Sequence, residues 1–145
     1  MPAGLIPDEG LAITLQELLG VIPPSVLPWQ LRLWTGDLVP DHTVVLADLE
    51  ECDFAGYTRA YLPKDQWSAP TVADGCAHAL NGADPIVWTV TGGPEQSVSG
   101  YAYVDAGWGV IRFIQRFDAE DIVPIQIPGT LTLHPEYTLT SAECE

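Results

Sequence analysis

Residues Ile86–Phe117 read IVWTVT, GGPEQ, SVSGYAYV, DAGWG and VIRFIQRF in succession. Three runs rich in Val, Ile and aromatic residues are separated by two Gly-bearing turns, the pattern of an antiparallel meander. This stretch decides the fold class, which is β. Its charged residues, Glu95, Asp105, Arg112 and Arg116, cancel. The chain as a whole carries −15, from 20 acidic and 5 basic residues, so the entire excess lies outside the meander.

On the N-terminal side, residues 1–7 read as an extended arm with Pro2 and Pro7. Asp8 is a natural N-cap for a helix over Glu9–Leu19, and Gly20 a natural C-cap. Leu11, Leu15, Leu18 and Leu19 fall at i, i+4, i+7 and i+8, one apolar stripe that must pack on the chain's own sheet or on a neighbouring subunit. A stiff connector with Pro23, Pro24 and Pro28 follows. Trp29–Thr35 (WQLRLWT) alternates and predicts a strand with Trp29, Leu31 and Leu33 on one face. Val44–Phe54 allows a short helix or a strand with a turn. Gly56–Leu62 predicts a strand with Tyr57, Arg59 and Tyr61 together. Asp74-Gly75 predicts a two-residue hairpin turn.

On the C-terminal side, 118–121 form an acidic loop, and Ile122–Ile127 and Thr130–Thr140 the last strands. Pro128 and Pro135 suit edges or bends there. Some eight to ten short strands result, with turns at the roughly 8–12-residue spacing of sandwiches. The expected fold is all-β: a two-sheet antiparallel β-sandwich of jelly-roll or immunoglobulin-like order, with one short N-terminal helix. Residues 1–28 form the arm, helix and Pro-rich connector, and 29–145 the sandwich domain. A chain of 145 residues buries enough surface to do this without disulfides or metals.

Composition excludes several classes of function. Five basic residues offer few counterion-releasing contacts, which argues against nucleic acid and against an anionic membrane. No run approaches the about 18 apolar residues of a membrane span, and MPAGLIPDEG lacks a basic leader, so a soluble protein made in the cytoplasm is expected. Cys52, Cys76 and Cys144 form no close pair; the first two read as small apolar residues. The histidines, His42, His78 and His134, sit in no nucleophile motif; His42 reads as an exposed polar residue in a turn, and His78 and His134 as strand residues satisfied by local hydrogen bonds. Asp37 with Asp41, and Asp118 with Glu120 and Asp121, are conceivable calcium donors but match no known loop, and read as solvated acidic loops. No catalytic, cofactor or metal residue is expected.

The aromatic residues remain. Tyr101 and Tyr103 share one face of a strand, and Trp67 and Trp108 fall in turns. Trp29, Trp34 and Trp88 suit the core or the sheet surface. Exposed rings on a sandwich stack on sugars or form protein interfaces. The expected interface residues are therefore Leu11, Leu15, Leu18, Leu19, Tyr101, Tyr103 and Trp108.

The landmarks Leu11–Leu19, Trp29–Thr35, Val45–Asp48, Phe54–Tyr57, Trp67–Pro70, Asp84–Thr89, Gly100–Asp105 and Arg116–Phe117 together resemble small structural proteins of tailed bacteriophages. The similarity runs from about Pro7 to Thr140 and consists of strand and turn landmarks, not of an active-site signature. The resemblance implies a non-enzymatic virion component made in the bacterial host cytoplasm. It implies capsid decoration or a place in the tail or fibre, contacts with other virion proteins, and a homo-oligomer, with a trimer expected from the habit of such proteins. A carbohydrate-binding module for host recognition is the alternative that the aromatic residues support.

Overall fold

The computed structural model describes residues 4–24, 28–63, 67–69, 71–73, 76–80, 85–134 and 136–140. In chain order the elements are helix α1 (Asp8–Leu18), β1 (Trp29–Trp34), a 3-10 turn at Leu46–Asp48, β2 (Ala60–Leu62), β3 (Thr71–Ala73), β4 (Cys76–Leu80) and β5 (Ile86–Val90). Then follow β6 (Ser97–Val98), β7 (Gly100–Asp105), β8 (Val110–Arg116), β9 (Val123–Pro124), β10 (Gly129–Leu133) and β11 (Glu136–Thr140). The described chain is mostly β, in antiparallel sheets, with one α-helix.

The principal sheet has the order β2-β1-β7-β8. Every residue of β7 is buried, because the sheet is covered on both faces. On one face Leu31, Leu33, Tyr101, Tyr103 and Phe113 meet Phe54, Leu62, Trp88, Val90 and Val98. On the other, Trp34, Ala102, Val104, Ile111 and Ile114 meet Val44, Leu5, Leu38, Leu46 and Leu49. A β-bulge makes the second cluster possible. Tyr103 opposes Phe113 while Val104 opposes Ile111, so Arg112 is the extra residue. Ile111 and Ile114, three apart, thereby share a face.

The DAGWG turn joins β7 to β8 as expected. Gly109 takes φ +68, where a side chain would be strained. Its N–H donates to the Asp105 carbonyl at 2.8 Å.

The expected meander is corrected at its first strand. β5 does not join β7. It pairs with β10, Trp88 opposite Leu131, while β6 turns aside to pair with β9. The place beside β7 goes to β1. The reason lies in the side chains. β1 buries Leu31 and Leu33 on one face and Trp34 on the other, which suits a sheet covered twice. β5 buries Trp88 and Val90 but exposes Val87 and Thr89, which suits one covered face.

Other expectations meet the structure unevenly. β1 forms as read. Residues 44–54 hold only the short 3-10 turn and a bridge between Glu51 and Trp34. β3 and β4 pair with Ala73 opposite Cys76, around the expected Asp74-Gly75 turn, which itself lies outside the described residues. So do Cys144 and the side chains of Cys76 and His78. Cys52 is buried, and burial pushes its thiol up to about 12, as befits a small core residue.

From Gly4 on, the N-terminal segment lies against the domain. Leu5 exchanges both backbone hydrogen bonds with Ile114, at 2.8 and 2.9 Å, and so covers the outer edge of β8. α1 begins one residue earlier than expected. Pro7 is its N-cap and Asp8 lies in the first turn, with its carboxylate 3.0 Å from His42 Nδ1 and unused as a cap. Gly20 follows the helix end at φ +71.

Candidate functional site

The seven residues expected at an interface separate into three groups. Tyr101 and Tyr103 do share a face, but it is the buried one, with exposures of 3% and 0%. β1 and β8 flank β7 on both sides, and the rings of Phe113, Phe117, Trp29 and Trp67 close over them. The Tyr101 hydroxyl donates to Gln115 Oε1 at 2.8 Å, which satisfies its polar end inside the core. The expected Tyr101–Tyr103 contact face is thus corrected. Trp67, expected at a turn, is half-buried edge-on to Trp29 and Tyr103. Trp108 is partly exposed at the tip of the β7–β8 hairpin.

The third group is the leucine stripe. Leu11, Leu15, Leu18 and Leu19 are 50%, 54%, 80% and 68% exposed, and Val21 continues the patch beyond the helix end. The apolar face of α1 points outward. On its inward side, beside the half-buried Ile13, it carries Gly10, Thr14 and Glu17, and the neighbouring strand explains these three. Gly10 is buried against the backbone of β8, so close that a Cβ would lie 2.4 Å from the Ile111 carbonyl oxygen. The same stretch of β8 presents an amide and a guanidinium that need acceptors. Glu9 Oε1 accepts from the Ile111 N–H at 2.8 Å. Thr14 Oγ1 accepts from Arg112 Nη1 at 2.9 Å. Glu17 accepts from Arg112 Nη2.

Arg112 is the centre of this arrangement, with its side chain 2% exposed. Nε and Nη2 both donate to Asp105 Oδ2, at 3.1 and 2.7 Å. The other oxygen, Asp105 Oδ1, accepts from the amides of Gly107 and Trp108. One carboxylate therefore ties the hairpin turn to the bulge, and one guanidinium ties the bulge to the helix. The guanidinium also lies 5.4 Å from the Trp29 ring centre. Burial works against the Arg112 charge, but the bonds from Glu17 and Asp105 outweigh it and hold its pKa above the ordinary value.

None of Gly10, Glu17, Asp105 or Arg112 stood out in the sequence as part of a site. The available signal was Arg112 itself, a cation between Ile111 and Phe113 on a strand whose centre is buried. A fully buried cation needs a partner.

A second polar cluster clamps the loop after β1. The Tyr57 hydroxyl donates to Glu51 Oε2 at 2.6 Å and accepts from the Leu33 N–H at 3.2 Å. Arg59 grips both oxygens of Glu51. Burial alone would raise the Glu51 pKa, but the hydrogen bonds from Arg59 and Tyr57 bring it below the usual carboxylate value.

The remaining features are modest. A cleft of about 370 Å³ beside β8 is lined by Leu5, Val39, Pro40, Ile114, Arg116 and Phe117 among others. Its cation is committed, since Arg116 Nη1 donates to the carbonyls of Gly36 and Leu38. Asp118, Glu120 and Asp121 bring carboxylate oxygens within 4.8 Å of one another on a largely exposed loop. His42 is exposed beside Asp8, and His134 is exposed after β10. No helix among the described residues is long and apolar enough to cross a membrane. No protein family, curated protein or solved structure matches the chain.

Proposed function

We propose that this protein is a structural component of a tailed-phage virion, made in the host cytoplasm and working by protein–protein contact in a homo-oligomer. Its place is decoration of the capsid or association with the tail or fibre. The observation that carries the reading is the outward leucine face of α1. Exposed leucines in a row mark a surface that is covered in use. The resemblance to phage structural proteins supplies the setting. The same reading takes the fold as a β-sandwich, in which the β5–β10 pair lies across the first core cluster from the β2-β1-β7-β8 sheet.

The rings that a sugar platform would need do not support the carbohydrate alternative. Tyr101 and Tyr103 are core residues, and Trp108 stands at a hairpin tip. Mass spectrometry of purified particles tests the proposal. The protein is expected in them at a copy number that is a multiple of a symmetry element. Its absence from particles would sink the reading. Incorporation should also fall when Leu15 and Leu18 are changed to Glu. Truncation of residues 1–20 is a poorer test, because it also removes Gly10 and Glu17 from the fold.

A further inference from the structure

We infer that the leucine face of α1 docks on the same face of a second copy of this chain, as an antiparallel two-fold helix pair. The inference rests on the reading of α1 as a contact surface and names its partner.

Charge argues for a self-contact. The three acids of α1 are all engaged within the chain: Asp8 with His42, Glu9 with the Ile111 amide, and Glu17 with Arg112. α1 has no base in its last turn, and residues 18–24 carry no charge. The leucine patch itself therefore carries no charged side chain, and the exposed Asp8 lies only at its N-terminal end, already beside His42. What complements the patch is another uncharged apolar face, and this chain supplies one.

Orientation follows from the same residues. Parallel pairing would set the exposed Asp8 of both copies side by side, which like charges oppose. Antiparallel pairing sets them against the uncharged 18–24 segment. A two-fold axis near Leu15 then places Leu11 of each copy opposite Leu18 and Leu19 of the other, as an isologous contact requires.

Area allows a weak pair. The exposed Leu11, Leu15, Leu18, Leu19 and Val21 side chains offer on the order of 500 Å² per copy, so a pair that covered all of them would remove at most about 1,000 Å² from water. That is the lower bound of a specific interface, so a weak pair is expected. The net charge of −15 on each copy opposes it at long range. Added salt screens that repulsion, so this contact strengthens with ionic strength, whereas docking on a basic protein would weaken.

The test is sedimentation velocity of the full chain over about 1–100 µM, in about 0.05 and 0.5 M NaCl. A concentration-dependent dimer, tighter in high salt, is expected. Leu15→Glu with Leu18→Glu should weaken it at least tenfold, on the order of 1.4 kcal/mol, with circular dichroism unchanged. Should that variant misfold, Leu15→Gln with Leu18→Gln serves in its place. A monomer under all conditions, a trimer, or a dimer indifferent to these substitutions would overturn the inference. The reading and the inference can fail separately. A protein monomeric in solution whose incorporation into particles still needs Leu15 and Leu18 leaves the virion role and the leucine contact surface standing and removes the inference. A leucine-dependent dimer absent from particles does the reverse.

Discussion

α1 presents Gly10, Thr14 and Glu17 to the domain on one side and Leu11, Leu15, Leu18 and Leu19 to solvent on the other. In most surface helices the apolar stripe faces the core. Here the inner side is held by close backbone approach and by charge-assisted hydrogen bonds, and the hydrophobic effect is left unused on the outer side. The comparison teaches that an amphipathic pattern locates a stripe but does not say which way it faces. That depends on what the neighbouring strand offers, and β8 offers a carbonyl, an amide and a guanidinium.

The strongest way to break the comparison is at Arg112. Arg112→Ala leaves Asp105 buried and Glu17 without its cation. Removing one partner of a buried pair costs about 3–5 kcal/mol, and urea denaturation should read a loss of that size. A loss under about 1 kcal/mol would show that the inner side is not held by this ion pair.

Gly10 gives a test by sign. In an exposed helix, Gly→Ala gains up to about 1 kcal/mol. At Gly10 the new Cβ would sit 2.4 Å from the Ile111 carbonyl oxygen, so Gly10→Ala should instead lose about 1–3 kcal/mol. A gain would mean that the helix stands off the strand. The expected loss would sharpen the view that the inner side works by contact distance.

The Glu51 cluster provides an ion pair of intermediate burial, with side chains 23% and 45% exposed for Glu51 and Arg59. Its worth should be about 1 kcal/mol or less. The folded pKa of Glu51 lies below its ordinary 4.5. Its contribution is therefore complete above the unfolded pKa and is lost as pH falls through the folded one. Glu51→Gln should melt below the wild type near neutral pH, and the gap should close as pH falls below the ordinary carboxylate value and through the lowered folded one. A gap independent of pH would assign the effect to packing. Arg112, far more deeply buried, should cost several times more to disrupt, which grades the two clamps by solvent access.

These residues also show what was legible in the sequence. β1, β7 and β8 could be read because alternation is local, and the DAGWG turn because Gly109 sits where positive φ is needed. The pairing of β5 could not, because its partner β10 lies some forty residues downstream, beyond the reach of local alternation. The positions of the leucines were legible and their direction was not. Arg112 binds Glu17, 95 residues away in the chain, and no periodicity reports a contact of that separation. Tyr101 and Tyr103 were correctly placed on one face. Their burial depended on β1 and on Trp67, which arrive from elsewhere in the sequence.

The smallest expected effect falls on the outer side. Leu18 is 80% exposed, so Leu18→Gln should change the stability of the single copy by less than about 0.5 kcal/mol. The measurement belongs at protein concentrations too dilute for self-association, since a contact made only by the folded state adds stability by mass action. The same substitution repeated at high concentration should then lose whatever the contact adds, while Arg112→Ala loses its several kcal/mol at both. A large loss in dilute solution would place Leu18 inside the domain's own packing and erase the difference between the two sides of α1. A loss that appears only as concentration rises would locate the work of the leucines outside the single chain.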